Sequence, residues 1–240
     1  VTRSTRTVLV TGGSSGIGRA VAARFAADGD RVVITGRNAA TVASAAAELG
    51  VEGAVCDAAD PGRAAALAAR FTTVDVVVNA AGGLPGAPAD SPALAALLAQ
   101  WQDSLAQNLL TAVVTTGSVR DKLAPGGAVI SIGSIGAERR GGSYGAAKAA
   151  LAAWNAFLSA ELAPGGVTCN VISAGFVEGT GFFGGALTKA RYADLVAETH
   201  NKRPGTVDDI AGTAHFLASP AARHITGQTL HVNGGAFTTR

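Results

Sequence analysis

Two kinds of apolar run alternate along this chain of 240 residues. Short, continuous, β-branched stretches at 7–11, 31–35, 51–56, 74–78, 127–134, 166–172 and 229–232 read as strands buried on both faces. Between them, apolar positions recur every three or four residues, as on an amphipathic helix. These stretches cover 17–27, 39–49, a segment opening near Asp60-Pro61, and 93–123 as two helices or one broken helix. They continue through the stretch ending at Leu162, about 187–198, and 208–217 with Thr206 as N-cap. Strand and helix alternate from end to end. That predicts one α/β domain over 1–240, a doubly wound parallel sheet of about seven strands with helices on both faces.

The first strand runs into Gly12, Gly13, Ser14, Ser15, Gly16, Ile17 and Gly18, and a helix follows. Strand, glycine turn and helix are the context of a Rossmann-type dinucleotide fingerprint, here spaced Gly-x-x-x-Gly-x-Gly. The glycines admit a pyrophosphate close to the backbone, and the helix start offers free N–H groups and a positive dipole end. The second strand ends in Gly36-Arg37, where NAD sites usually carry an acid for the ribose 2′-hydroxyl. An arginine there leaves room and charge for a 2′-phosphate, which favours NADP(H) over NAD(H); otherwise Arg37 is an ordinary surface arginine. Asp57, just past the third strand and followed by Ala58, either accepts from the adenine amino group or caps the next helix. The fourth strand leads into Asn79, Ala80, Ala81 and Gly82. Asn79 can tie neighbouring strands together, while the small residues after it let a cofactor lie close.

Tyr144 and Lys148 share one helix face, with Cβ atoms about 6 Å apart. A phenol of pKa about 10 needs roughly 4 kcal/mol of phenolate stabilisation to titrate near neutrality. One ammonium at about 5 Å supplies on the order of 3 kcal/mol at an effective dielectric near 20. Upstream, a buried strand ends at Ser134, on the edge where open α/β sheets bind ligands. Asn108 lies amid leucines, where a buried amide demands partners.

A formal charge of +2 argues against nucleic acid or anionic membrane as the main partner. The adjacent basic pair Arg139-Arg140 reads as a solvated loop. Cys56 and Cys169 sit in strand-like runs without ligand spacing, so buried thiols are expected, with no disulfide and no metal site. No run reaches transmembrane length and no secretory leader opens the chain; a soluble, cytoplasmic protein is expected. With no methionine present, the start is expected to be processed or to lie outside this sequence. The loop at 83–92 either borders a substrate cleft or simply connects. The segment 176–203, with glycine hinges and the apolar Phe176, Phe182, Phe183, Leu187 and Leu195, is expected to form a substrate lid.

With these residues in view, the whole chain resembles the short-chain dehydrogenase/reductase family. The likeness rests on the 11–18 turn, Asn79-Ala-Ala-Gly82, Asn108, Ser134, Tyr144-x-x-x-Lys148 and Asn233-Gly-Gly235. Gly227-Gln-Thr-Leu-His-Val-Asn-Gly-Gly235 is similar to the 3-oxoacyl-acyl-carrier-protein reductase-like members. The resemblance implies a tetrad. Tyr144 donates a proton to a carbonyl oxygen, and Ser134 polarises that carbonyl. Lys148 lowers the Tyr144 pKa and holds the nicotinamide ribose; Asn108 holds a water in a proton relay. Ala174, Gly175 and Val177 are the implied contacts beyond the sixth strand, with Tyr144 and Lys148 also touching the cofactor.

The chain departs from the family pattern in three places. The Ser134–Tyr144 interval is short, which leaves Ser131 as a second candidate serine; Ala174 replaces the usual proline; and the following threonine is displaced to Thr180. The implied function is NADPH-dependent, reversible reduction of a ketone, free or thioester-linked, by a homotetramer. An NAD-dependent alcohol dehydrogenase and a catalytically silent nucleotide-binding sensor are the alternatives.

Overall fold

Seven strands form one parallel sheet: β1 (Thr7–Thr11), β2 (Arg31–Gly36), β3 (Glu52–Val55), β4 (Val74–Asn79), β5 (Leu123–Ser134), β6 (Thr168–Ala174) and β7 (Thr229–Val232). Their order across the sheet is β3-β2-β1-β4-β5-β6-β7. This computed structural model describes residues 5–85, 92–139 and 141–239. Arg140 of the basic pair and most of the 83–92 loop lie outside the described residues.

Strand side chains alternate between two buried faces, as the pleat requires. Val8, Val10, Ile34, Ile130 and Ile172 pack with Val21, Phe25, Ile210 and Leu217. These come from α1 (Gly16–Ala27) and α8 (Val207–Leu217), joined by Ala45 and Ala46 of α2 (Ala39–Leu49). Leu9, Val33, Val77, Val129 and Cys169 point the other way, onto Leu67, Val119, Leu158 and Leu162. Those residues belong to α3 (Pro61–Ala68), α5 (Thr111–Val119) and α6 (Gly142–Leu162). The two-faced expectation is met for the central strands but not for β3 and β7, which lie at the sheet edges and are only partly buried. Cys56 and Cys169 are free, buried thiols. Burial pushes the Cys169 thiol up to about 12.

Helix starts follow local chemistry. Asn38 accepts from Thr41 N–H to cap α2, and Thr206 and Asp209 form a capping box on α8. Asp60 accepts from Arg63 N–H ahead of Pro61, so Asp60 rather than Asp57 caps α3.

The 93–123 region differs from a simple helix pair. α4 (Ala93–Leu105) passes into a π turn at Ala106–Leu110 before α5, with Thr111 N–H reaching back five residues to the Ala106 carbonyl. Helix ends at Val119, and β5 begins at Leu123, four residues before the apolar run at 127 suggested it. The ammonium of Lys122 donates to the Ala68 and Phe71 carbonyls at 2.6 and 2.8 Å, pinning this corner to the end of α3. Beyond β6, a short 3₁₀ turn at Gly181–Phe183 precedes α7 (Lys189–Ala197). Among the described residues, no helix is long and apolar enough to cross a membrane.

Candidate active site

The sheet order reverses between β1 and β4, and in such sheets ligands bind outside the carboxyl ends of the strands at that switch point. The glycine turn after β1 and the Asn79–Gly82 segment after β4 meet there. Thr11 Oγ1 accepts from both Ala80 and Ala81 N–H at 3.1 Å, which locks the two segments together. The sequence signal for that lock was only a threonine at a strand end. A Cβ on Gly18 would collide with the Gly12 carbonyl, so the turn closes tightly onto the start of α1. Ser15 stands at the N-cap without a side-chain cap bond, and no acid lies in the first turn of α1. The N–H groups and dipole there are available to an anion.

A crevice of about 370 Å³ opens beside this turn. Gly12, Ser14, Arg37, Asp57, Ala58, Ala81 and Gly82 line it, as the sequence reading expected. Asn38, Thr41, Asp103, Gln107 and Thr111 line it too, and sequence reasoning missed them. Asn38 could have been found beside Arg37, and Thr41 one turn further on α2. Asp103, Gln107 and Thr111 flank or belong to the π turn, which leaves no periodic signal. Asp57 Oδ1 accepts from Ala59 N–H at 3.1 Å, fixing its carboxylate at the crevice wall. Arg37 is exposed. A glycine-lined cradle, an uncapped helix start and an arginine at the rim together fit the phosphates and ribose of a dinucleotide. Asn79 is turned into the sheet instead, its Nδ2 donating to Thr116 Oγ1 at 3.0 Å and to Ser131 Oγ at 3.4 Å. Ser131 is fully buried in that strand-tying contact. Of the two candidate serines, Ser134 is the one beside Tyr144.

Ala174, Gly175 and Val177 lie across the sheet edge at the end of β6 and do not line this crevice. Gly175 packs against Asn233 and donates to the Val232 carbonyl at 3.1 Å. Val177 bridges to Gly205. Thr180 donates to the Val177 carbonyl at 3.2 Å, and its Cγ2 would lie 3.6 Å from a Cβ placed on Gly16. The displaced threonine thus comes back to the start of α1.

The reactive groups converge at the other end of Gly82. A Cβ there would lie 2.7 Å from Asn108 Oδ1 and 3.3 Å from Lys148 Nζ. Asn108 sits in the π turn, where its amide is held in both senses by Gly83: Oδ1 accepts from Gly83 N–H at 3.1 Å, and Nδ2 donates to the Gly83 carbonyl at 2.9 Å. Nδ2 also donates to the Ser104 carbonyl at 3.1 Å. π turns of this kind often mark functional sites. Ser104 and Ser143, both buried, share a 2.8 Å hydroxyl bond that ties α4 to the first turn of α6, next to Tyr144.

Ser134 Oγ accepts from Gly136 N–H at 3.0 Å, and a Cβ on Gly136 would lie 3.3 Å from both Ser134 Oγ and the Tyr144 ring, which places the two side chains side by side. The short interval between them is accommodated by glycine. A Cβ on Gly145 or Gly141 would collide with the Gly136 carbonyl, so this loop can lie on α6 only where α6 has no side chain. Burial raises the Tyr144 pKa, and the neighbouring Ser134 hydroxyl opposes that rise. Lys148 Nζ, 5.9 Å from the Tyr144 ring centre, is buried and donates to the Ile132 carbonyl at 2.8 Å. Burial lowers its pKa to about 8. In the chain alone, desolvation therefore acts against the phenolate that the charge arithmetic favours.

Over this site lies the 176–203 segment. Phe182 meets the Tyr144 ring edge-on, with centres 5.4 Å apart. Arg139 and Arg191 both pair with Glu198, at 2.5 and 3.7 Å.

Comparison with known proteins agrees with this geometry. The sequence profile of a family described as enoyl-(acyl carrier protein) reductase matches residues 12–237. The 3-oxoacyl-[acyl-carrier-protein] reductase FabG of Escherichia coli is 35% identical over 240 residues, covering 95% of this chain and 96% of that protein. A short-chain type dehydrogenase/reductase from Mycobacterium ulcerans superposes with a TM-score of 0.88 at 30% identity, over 98% of this chain and 91% of that one. A short chain dehydrogenase from Burkholderia cenocepacia, solved in complex with NADP, gives 0.81 at 32% identity, over 96% and 97% of the two chains.

Proposed function

The chain belongs to the short-chain dehydrogenase/reductase family of NAD(P)-dependent oxidoreductases, and we propose that it reduces a ketone to a secondary alcohol with NADPH. The observation that carries this reading is the convergence of Ser134, Tyr144, Asn108 and the buried Lys148 at Gly136 and Gly82, where Gly82 also lines the dinucleotide cradle.

A bound nicotinamide cofactor supplies the hydride that the carbonyl carbon receives. Tyr144 gives its hydroxyl proton to the carbonyl oxygen. Ser134 hydrogen-bonds that oxygen as charge develops on it, a preorganised donor in a partly dry site. Lys148 carries positive charge next to the forming phenolate and, through Asn108 and water, returns the proton. Gly12, Ser14, Ser15, Gly16, Ile17 and Gly18 would hold the pyrophosphate. Asp57 and Ala58 would bind the adenine, and Ala80, Ala81 and Gly82 the riboses. Ala174, Gly175 and Val177 are the proposed contacts of the carboxamide.

Arg37 supports NADPH, as do the NADP complex of the Burkholderia cenocepacia neighbour and the metagenomic blue fluorescent protein solved with NADPH, 32% identical. The substrate is a small ketone, free or thioester-linked; similarity to FabG favours the thioester. The 176–203 segment acts as the lid. In the same reading the protein is cytoplasmic and a homotetramer, for which the solvent-facing Leu94, Leu97, Leu98 and Trp101 of α4 supply apolar contact surface.

The test is NADPH and NADH consumption against an acetoacetyl thioester, a bulky bicyclic ketone and an aromatic ketone. Turnover of at least one ketone, faster with NADPH, is the expected result. Faster turnover with NADH would support the dehydrogenase alternative instead. Tight NADPH binding with no turnover on the whole panel would count for the silent sensor.

A further inference from the structure

Four aromatic rings run outward from the reactive phenol. Phe182 lies edge-on to Tyr144 with centres 5.4 Å apart, and Phe183 lies 5.1 Å from Phe182 at 89°. Phe176 follows at 6.0 Å from Phe183, and Tyr192 at 5.2 Å from Phe176. Tyr192 donates its hydroxyl to Glu178 at 2.8 Å, so the row ends in a polar anchor away from the reactive end. All four rings are half-buried.

The turn that carries Phe182 and Phe183 is bracketed by Gly179, Gly184 and Gly185, all with positive φ and with open space where a Cβ would stand. The turn can shift without breaking a packed contact at its ends. Farther along, Glu198 at the end of α7 pairs with Arg139, tying that helix to the loop before α6. The two phenylalanines stand between this anchored helix and Tyr144.

We propose that Phe182 is the specificity-determining residue of this site, and that the site takes ketones with an aromatic or similarly flat apolar group beside the carbonyl. This rests on the reductase reading above. A carbonyl that reaches Tyr144 and Ser134 brings its substituent against Phe182. A flat ring there repeats the edge-to-face contact that Tyr144 already makes, whereas a saturated ring of the same size has no π face to offer. Such a contact is worth about threefold to tenfold in binding.

The experiment compares acetophenone with cyclohexyl methyl ketone on the wild type and on Phe182→Leu, which keeps the position apolar and removes the ring. Two readouts are taken: kcat/KM with NADPH, and calorimetric Kd for acetophenone on protein saturated with NADP⁺. The substitution is expected to weaken acetophenone by about threefold to tenfold, mainly in KM and Kd, and the cyclohexyl ketone by less than about twofold. NADPH affinity and melting temperature should stay at wild-type values. Equal losses on both ketones, or no loss on either, would overturn the proposal, as would wild-type protein that fails to bind acetophenone. Should neither ketone turn over, the reductase reading is decided on the wider ketone panel above. The calorimetric comparison then still decides the role of Phe182.

Discussion

The two ends of the Gly82 bridge are built by different means. At the cofactor end, backbone meets backbone: Gly18 against the Gly12 carbonyl, and Ala80 and Ala81 N–H on Thr11. Nothing there depends on a long side chain except Arg37. At the substrate end, the first layer is also glycine-tight, with Gly145 under the Gly136 carbonyl, but the outer layer is aromatic rings on a glycine-hinged turn. A backbone cradle suits a ligand that never changes. Rings on a hinge suit one that selection can alter while the proton-transfer groups stay put.

Paired glycine substitutions break this comparison most strongly. Overpacking of this sort typically costs about 1–3 kcal/mol, and more where the obstacle is backbone. Gly18→Ala is expected to lower NADPH affinity at least about 100-fold, since the cradle must open to admit the methyl group. Gly145→Ala is expected to leave NADPH affinity within about threefold while lowering kcat at least about tenfold, because it displaces the Ser134–Tyr144 pair. Calorimetry and turnover on both variants check this. Matching losses of affinity would mean the two ends are one mechanical unit.

Arg37→Ala sharpens the comparison within the cofactor end. Loss of a charge-assisted contact to a 2′-phosphate, worth about 1.5–3 kcal/mol, is expected to raise the Kd for NADPH about 10- to 100-fold. NADH should move less than about threefold. Equal weakening of both cofactors would mean that Arg37 does not read the phosphate.

The smallest expected effect concerns pH. Burial holds Lys148 at about 8, below the ordinary ammonium value of 10.5. Between those values the unfolded chain binds more protons than the folded one, so stability contributed by this group rises with pH across the window. The wild type should therefore gain melting temperature relative to Lys148→Met from about pH 8 to about pH 10. Over the same range, reduction should slow as the ammonium loses its charge. Burial raises Tyr144 as well, so the phenol moves in the opposite direction to the lysine. A melting difference that shrinks with rising pH would contradict the assignment.

Most of the sheet and the cradle were legible from sequence, because continuous apolar runs and a glycine turn report backbone requirements directly. The π turn was not: Asn108 in an apolar stretch signalled that partners were needed, but not that Gly83 and Ser104 would supply them. Nor did spacing disclose the Asp60 cap that removed one reading of Asp57. The charge arithmetic for Tyr144 and Lys148 counted attraction and left out desolvation, which burial in the folded chain supplies to both groups. The short Ser134–Tyr144 interval was visible as a departure. Its compensation by Gly145 became readable only when Gly136 was seen lying on α6.

The central claim is that Tyr144 moves the proton and takes no large part in holding the cofactor. Its most direct test measures kcat and NADPH Kd on the same preparations of wild type and Tyr144→Phe, using a ketone the wild type reduces. The account predicts a fall in kcat of at least about 1,000-fold, or roughly 4 kcal/mol of transition-state stabilisation, with Kd changed less than about threefold. Turnover by Tyr144→Phe at the wild-type rate would contradict it.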